Sequence, residues 1–254
     1  MADPTVAALY RYPIKGLSPE RMRETALTVG EAVPFDRAYA IENGPGPFNA
    51  AAPRHLPKIT FLCLMRDERL ARLQTSFDCA THTLVITQNG AVVARGDLRT
   101  RDGRAVIESF MTREMAAELR GDPRVVSAPG HCFSDVREKC LHIVNLASVR
   151  ALKQSMGCAI NPLRFRPNVM IEGLGAWSEL DLLDREIALG GATLKVFKRT
   201  VRCAATNVDP ETSARDMELP DALSHMLGHR DFGVYAMVVA GGIVREGDPV
   251  RTGH

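Results

Sequence analysis

The six cysteines, Cys63, Cys79, Cys132, Cys140, Cys158 and Cys203, contain no C-x-x-C pair. Their spacing builds neither a zinc site nor a ferredoxin-type iron–sulfur cluster. Reduced thiols in a cytosolic protein are the expectation. No apolar run approaches the length of a membrane span. The start, "MADPTVAALYRYPIK", lacks the basic-then-apolar plan of a secretory signal. A cytoplasmic chain with no membrane attachment is therefore expected. An excess of one charge is missing too. The chain has 32 basic and 30 acidic residues, and a net +2 argues against a nucleic-acid or acidic-membrane surface. Lysine is scarce, 6 against 26 arginines. Arginine suits bidentate phosphate and carboxylate binding, although GC-rich coding gives the same bias. No internal repeat, GxGxxG, P-loop or GxSxG motif occurs.

What is present is an ordinary globular composition, 45% hydrophobic and 24% charged over 254 residues, enough for one large domain or two small ones. Residues 5–42 read as β-rich, with a strand broken at Pro13 and further short runs "ALTVG", "AVPF" and "RAYAIE". "NGPGPFNAAAP", 43–53, cannot hold regular structure and reads as a mobile loop. "PKITFLCLM" predicts a strand and "RDERLARLQTSF" a short helix. "HTLVITQNGAVVARGDL" alternates around Asn89-Gly90 and predicts a hairpin. A helix is expected over 105–120, where Ile107, Phe110, Met111 and Leu119 share a face and Gly121 can cap it. A boundary near Pro129 follows. Beyond it, "CLHIVN" predicts a strand and 146–156 a helix, N-capped by Asn145 and stopped by Gly157. The remaining short strands are irregularly spaced, with few helices between them. They favour an α+β, mostly β fold with a barrel-like second half.

Several short stretches could carry chemistry. Cys203 ends the run "ATLKVFKRTVRC", flanked by Arg199 and Arg202. Positive charge there would favour a thiolate, which is a nucleophile or soft-metal ligand. The residues alone favour a buried structural cysteine. In "RFRPN", an extended chain would point Arg164 and Arg166 the same way, and the pair could grip a phosphate. A solvated edge strand is the alternative. Lys15 in "YPIKG" lies past Pro13 in a turn, where it could reach an anion or simply face solvent. His225 and His229 are four apart, but no glutamate follows the first and Gly228 weakens a helix, so metal binding there is disfavoured.

Together and in this order, the stretches resemble a family. "YPIKG", "DRAYAI", "RFRPN", "RCAATNVDPET", "DFGVY" and "EGDPV" are similar to motifs of the MOSC (molybdenum cofactor sulfurase C-terminal) domain proteins that also carry a MOSC N-terminal β-barrel domain. That group includes the mitochondrial amidoxime-reducing component and its bacterial relatives. The resemblance covers nearly the whole chain, and the cysteine motif is its most specific part. Where the family has hydroxyls, this chain has Gly16, Val201 and Leu163.

The resemblance implies an N-terminal MOSC barrel-like domain over residues 1–128 and a MOSC domain over 129–254. It implies a molybdenum cofactor, Mo-molybdopterin, with Cys203 as the one protein ligand to the metal. Lys15, Arg166 and Asn168 would contact the cofactor. Arg54, Arg164 and Arg202 would add basic contacts, while Thr206 and Asp209 would shape the cysteine loop. The implied activity is oxygen-atom abstraction from N-hydroxylated or N-oxide small molecules, with two electrons and two protons releasing water. The electrons would come from an external flavoprotein, haem or iron–sulfur donor, because no flavin or nicotinamide fingerprint is present. A sulfur carrier with a persulfide on Cys203, and a non-catalytic cofactor-binding or delivery module, are the alternatives.

Overall fold

Alternation sets the strands. In "ATLKVFKRTV" the residues Ala192, Leu194 and Val196 are buried while Lys195 and Lys198 face out. The computed structural model describes residues 3–253. The chain opens with β1 (Thr5–Arg11), β2 (Glu20–Met22), β3 (Glu24–Leu27) and β4 (Ala40–Glu42), followed by β5 (Gln74–Asp78), β6 (Thr83–Gln88), β7 (Ala91–Asp97), α1 (Arg101–Glu114) and β8 (Arg124–Val126). The second half comprises β9 (Leu141–Asn145), α2 (Leu146–Met156), β10 (Val169–Glu172), β11 (Glu186–Leu189), β12 (Ala192–Val201), α3 (Leu219–Leu227), β13 (Asp231–Ala240), β14 (Gly242–Arg245) and β15 (Val250–Thr252).

Eight strands form one curled sheet in the order β15-β11-β12-β13-β9-β10-β1-β2, a half-barrel. Its pairings are antiparallel except β9 with β10. The first strands of the chain thus lie among the last: β1 pairs β10, and β3 pairs β14. Val6, Leu9, Ile143, Ile171, Val196 and Val234 fill this sheet's core. A second core forms where β5, β6 and β7 pack with α1, through Leu73, Leu84, Ile86, Ile107 and Met111. Gly96 and Gly103 let α1 lie close on β7, since a Cβ on either would enter the backbone opposite. The fold is the mostly β, α+β architecture expected.

Several local expectations hold. The hairpin turns at Asn89-Gly90, both at positive φ. Helix α2 spans the predicted residues, with the Asn145 side chain accepting from the Ala147 N–H and Gly157 left-handed at φ 67°. Residues 43–53 hold no helix or strand.

Others are corrected. "PKITFLCLM" is not a strand: Lys58–Thr60 form a 3-10 turn, and Phe61 makes only a single bridge to Glu42. Ile59 is exposed while Phe61 and Leu62 are buried in different cores, so no single face alternates. The helix expected over 66–77 is a 3-10 turn at Glu68–Arg72 that runs into β5. Helix α1 runs Arg101–Glu114 rather than 105–120: the Thr100 side chain accepts the Gly103 N–H at its start, and Met115, not Gly121, caps its end. "AVPF" lies in a turn rather than a strand. "RFRPN" is not extended, since Pro162–Phe165 form a 3-10 turn and β10 begins only at Val169.

Candidate functional site

Strand β12 delivers Arg202 and Cys203 to a 3-10 turn, Ala204–Asn207. Thr206 is buried, and its hydroxyl donates to the Cys203 carbonyl at 2.9 Å. The Asp209 carboxylate accepts the N–H groups of Glu211 and Thr212, each at 2.8 Å. Arg164 is buried beneath this loop. It donates to the Asn207 carbonyl at 3.0 Å, to Asp209 at 2.7 Å and to Asp216 at 2.9 Å. These contacts fix where the half-buried Cys203 sits. The 3-10 turn at 162–165 sends Arg164 into the loop and leaves Arg166 at φ 52°, so the two arginines do not share a strand face.

Cys203 faces a cleft of about 240 Å³ lined also by Lys15, Arg37, Lys58, His142, Arg166, Asn168 and Arg202. Lys58 Nζ donates to Cys203 Sγ at 3.2 Å. Burial lowers the Lys58 pKa, but the charge of Cys203 and that hydrogen bond outweigh it and leave a net rise. Lys15 donates to the Phe133 carbonyl at 2.9 Å and pairs with Asp135. Gly16 follows at φ 84°, and a Cβ there would lie 2.9 Å from the Leu62 carbonyl oxygen, so no serine fits without movement.

Tyr12 is buried between two guanidinium groups, with Arg166 at 4.1 Å and Arg37 at 4.6 Å from its ring centroid. Arg166 donates to the Leu17 carbonyl at 2.9 Å. Removal from water pulls its pKa down to about 10. Arg202 donates to the Phe165 carbonyl at 2.9 Å, and desolvation lowers its pKa as well. Neither makes an ion pair among the described residues, and Arg166 Nη2 and Arg202 Nε are buried without a partner. Arg37, by contrast, pairs with Asp36. The Asn168 amide is engaged within the sheet: its oxygen accepts the His142 N–H at 3.0 Å and its nitrogen donates to the Tyr10 carbonyl at 3.2 Å.

The structure therefore brings Lys15, Arg164, Arg166, Asn168, Arg202 and Cys203 to one cleft or its floor, with Thr206 and Asp209 in the supporting loop. It does not bring Arg54 there; that side chain lines a separate open cavity. Lys58, Arg37 and His142 are additions that sequence reasoning missed. Lys58 is the only lysine in the run misread as a strand, and nothing local marks it as facing a cysteine 145 positions away. Arg37 lay within the quoted "DRAYAI". Among the described residues no group of three or more His, Cys, Asp or Glu is placed to hold a metal ion. No helix among them is long and apolar enough to cross a membrane.

A half-barrel sheet that sets Cys203 against a lysine in a cleft rich in arginine defines the class of site. Residues 122–251 match the MOSC domain and residues 3–132 the MOSC N-terminal beta barrel domain, so the chain belongs to the MOSC family. It is homologous to "Mitochondrial amidoxime-reducing component 1" of Mus musculus, 26% identical over 97% of this chain and 81% of that one. The Homo sapiens protein of the same name is 24% identical over 97% and 82%. The crystal structure of the YUAD protein from Bacillus subtilis aligns at a TM-score of 0.47 and 14% identity, covering 98% of this chain and 94% of that one.

Proposed function

We propose that the chain is a molybdenum-cofactor-dependent oxidoreductase that reduces N-hydroxylated or N-oxide small molecules. The observation that carries this reading is the Cys203 thiol with Lys58 at 3.2 Å, in a cleft whose Arg166 and Arg202 lack anionic partners. A desolvated guanidinium without a carboxylate is costly unless a ligand brings the negative charge. An anionic pterin phosphate would do so, and a site with no cluster of three metal-ligating side chains suits a cofactor that brings its own sulfur donors. The residues present fit the group.

Cys203 would be the protein ligand. Arg166, Arg202 and Lys15 would hold the pterin and its phosphate by charge-assisted hydrogen bonds. When bound, the cofactor supplies a metal that takes an oxygen atom from an N–O bond and exchanges two electrons. Lys58 holds a proton on Nζ beside Sγ, and its charge balances the thiolate. Thr206, Asp209 and Arg164 keep the loop from shifting when the ligand arrives. The working units we propose are residues 1–128 and 129–254, with β1 to β3 lent to the second unit's sheets. The six unpaired thiols fit a cytoplasmic location.

Electrons must come from outside, since the chain carries no flavin or nicotinamide motif. Holo-protein given NADPH alone should leave an amidoxime intact. It should reduce it with reduced viologen or with a flavoprotein, haem or iron–sulfur donor. Failure with viologen at full molybdenum loading would instead favour a delivery module, and turnover with NADPH alone would contradict the need for a donor.

A further inference from the structure

Two stretches of chain line both the cleft and a second cavity. Leu56 and His55 line that cavity, and Lys58, two and three residues on, touches Cys203 Sγ. On the other side, Ser134, Asp135 and Val136 line the cleft while Cys132 and Arg137, flanking them, line the second cavity. Two or three residues of chain span at most roughly 10 Å, about the length of a small organic molecule.

The second cavity holds about 720 Å³ and is walled by Arg54, His55, His131, Arg137 and Lys139, with no carboxylate among its lining residues. Lys139 is paired with Glu31 at 2.7 Å. Arg54 and Arg137 make no side-chain hydrogen bond or ion pair among the described residues. His131 is held in place, its ring 4.6 Å from Phe133 and 5.4 Å from Phe48. Burial, then His55 and Lys139, lower its pKa, so the fixed charge of this wall is that of Arg54, Arg137 and Lys139. Exposed cations set around a concave surface with no carboxylate raise the local concentration of an anion.

We infer that this cavity is an anion subsite, taking a phosphate or carboxylate carried by a substrate whose reacting end lies at Cys203. That the anion belongs to a substrate rests on the reductase reading above; that the cavity binds an anion does not. Arg54 belongs to this subsite and gives the arginine a role outside the cleft.

The test has two arms, both on the full chain. In the first, inorganic phosphate is titrated against the protein while the imidazole proton resonances are followed. Those of His55 and His131, assigned with H55Q and H131Q, should shift saturably, and Arg137→Ala should weaken binding by roughly tenfold or more. No saturable shift would overturn the subsite. In the second arm, a neutral amidoxime is compared with one bearing a carboxylate, using reduced viologen and holo-protein. The ratio of their kcat/KM values should favour the anionic substrate and fall by about tenfold in Arg137→Ala. Phosphate binding with an unchanged ratio would overturn the substrate assignment and leave a site for free anions. Phosphate binding with neither amidoxime turned over would sink the reductase reading and leave the subsite standing. If Arg137→Ala spares phosphate binding yet slows an acidic protein donor, the face is a protein dock and the subsite is overturned.

Discussion

His142 should make the protein's stability depend on pH with a sign fixed by its surroundings. The side chain lies on β9, 3% exposed, with Nδ1 3.3 Å from the Arg166 carbonyl and Nε2 3.4 Å from Arg202. Burial, and then the Arg202 charge, pull its pKa well below the ordinary 6.5. In the unfolded chain the same imidazole takes a proton near pH 6.5. A depressed folded pKa gives stability that is present above the unfolded value and is lost as pH falls below it. The limiting slope is about 1.4 kcal/mol per pH unit, so from pH 8 to pH 5 the loss is at most about 2 kcal/mol. The assay is urea unfolding of wild type and His142→Gln at several pH values. Glutamine can still donate to the Arg166 carbonyl and accept from Arg202, so the variant keeps both contacts without the titration. Other titrating groups cancel in the difference. Wild type should lose stability relative to the variant as pH falls across that range, by up to about 2 kcal/mol. A difference that stays constant with pH would refute the reasoning.

Glu179 should act in the opposite direction. It is buried, with one oxygen accepting from Asn145 and Ser148 and the other without a partner, and burial raises its pKa. Stability is then lost as pH rises from its unfolded pKa through the folded one, so Glu179→Gln should be the more stable protein at pH 8. The gap should close toward acid, and a variant less stable at pH 8 would contradict this. Gly233 sits at φ 74°, and a Cβ there would lie 2.6 Å from the Ile143 carbonyl oxygen and 2.7 Å from His142 Nε2. Gly233→Ala should therefore cost about 2–5 kcal/mol in denaturant unfolding; a loss below 1 kcal/mol would show that the sheet relaxes freely there. Lys58→Met keeps the stem and removes the charge beside Cys203. Cofactor retained after dialysis should fall by roughly ten- to a hundredfold, and unchanged retention would remove Lys58 from the site.

The sequence was most readable where one local device settles the backbone. Asn145 and Gly157 bound α2, and Asn89-Gly90 closes its hairpin, because a cap or a positive-φ turn needs only its neighbours. It was least readable where the cores divide. Phe61 and Leu62 enter different clusters, so the run around Lys58 looks like a strand and is a turn. The cysteine loop was legible through its motif, but its support was not. Arg164 reaches Asp216, 52 positions on, and Tyr12 is clasped by Arg37 and Arg166, which follow it at long range. Arginine on a strand-like run gives no sign of whether it faces a ligand or a carboxylate of its own chain. Pro162 and Asn161 were the local cues that could have shown the turn, since the Asn161 side chain caps it.

The account rests on Cys203 as the metal ligand, and molybdenum content tests that most directly. Wild type, Cys203→Ala and Cys63→Ala should be purified from a cofactor-competent host, and molybdenum and pterin measured per chain. Cys63 lines the same cleft and controls for the loss of a thiol. Wild type and Cys63→Ala should carry the metal, while Cys203→Ala, folded as judged by circular dichroism, should carry none. Equal molybdenum in wild type and Cys203→Ala would contradict the account.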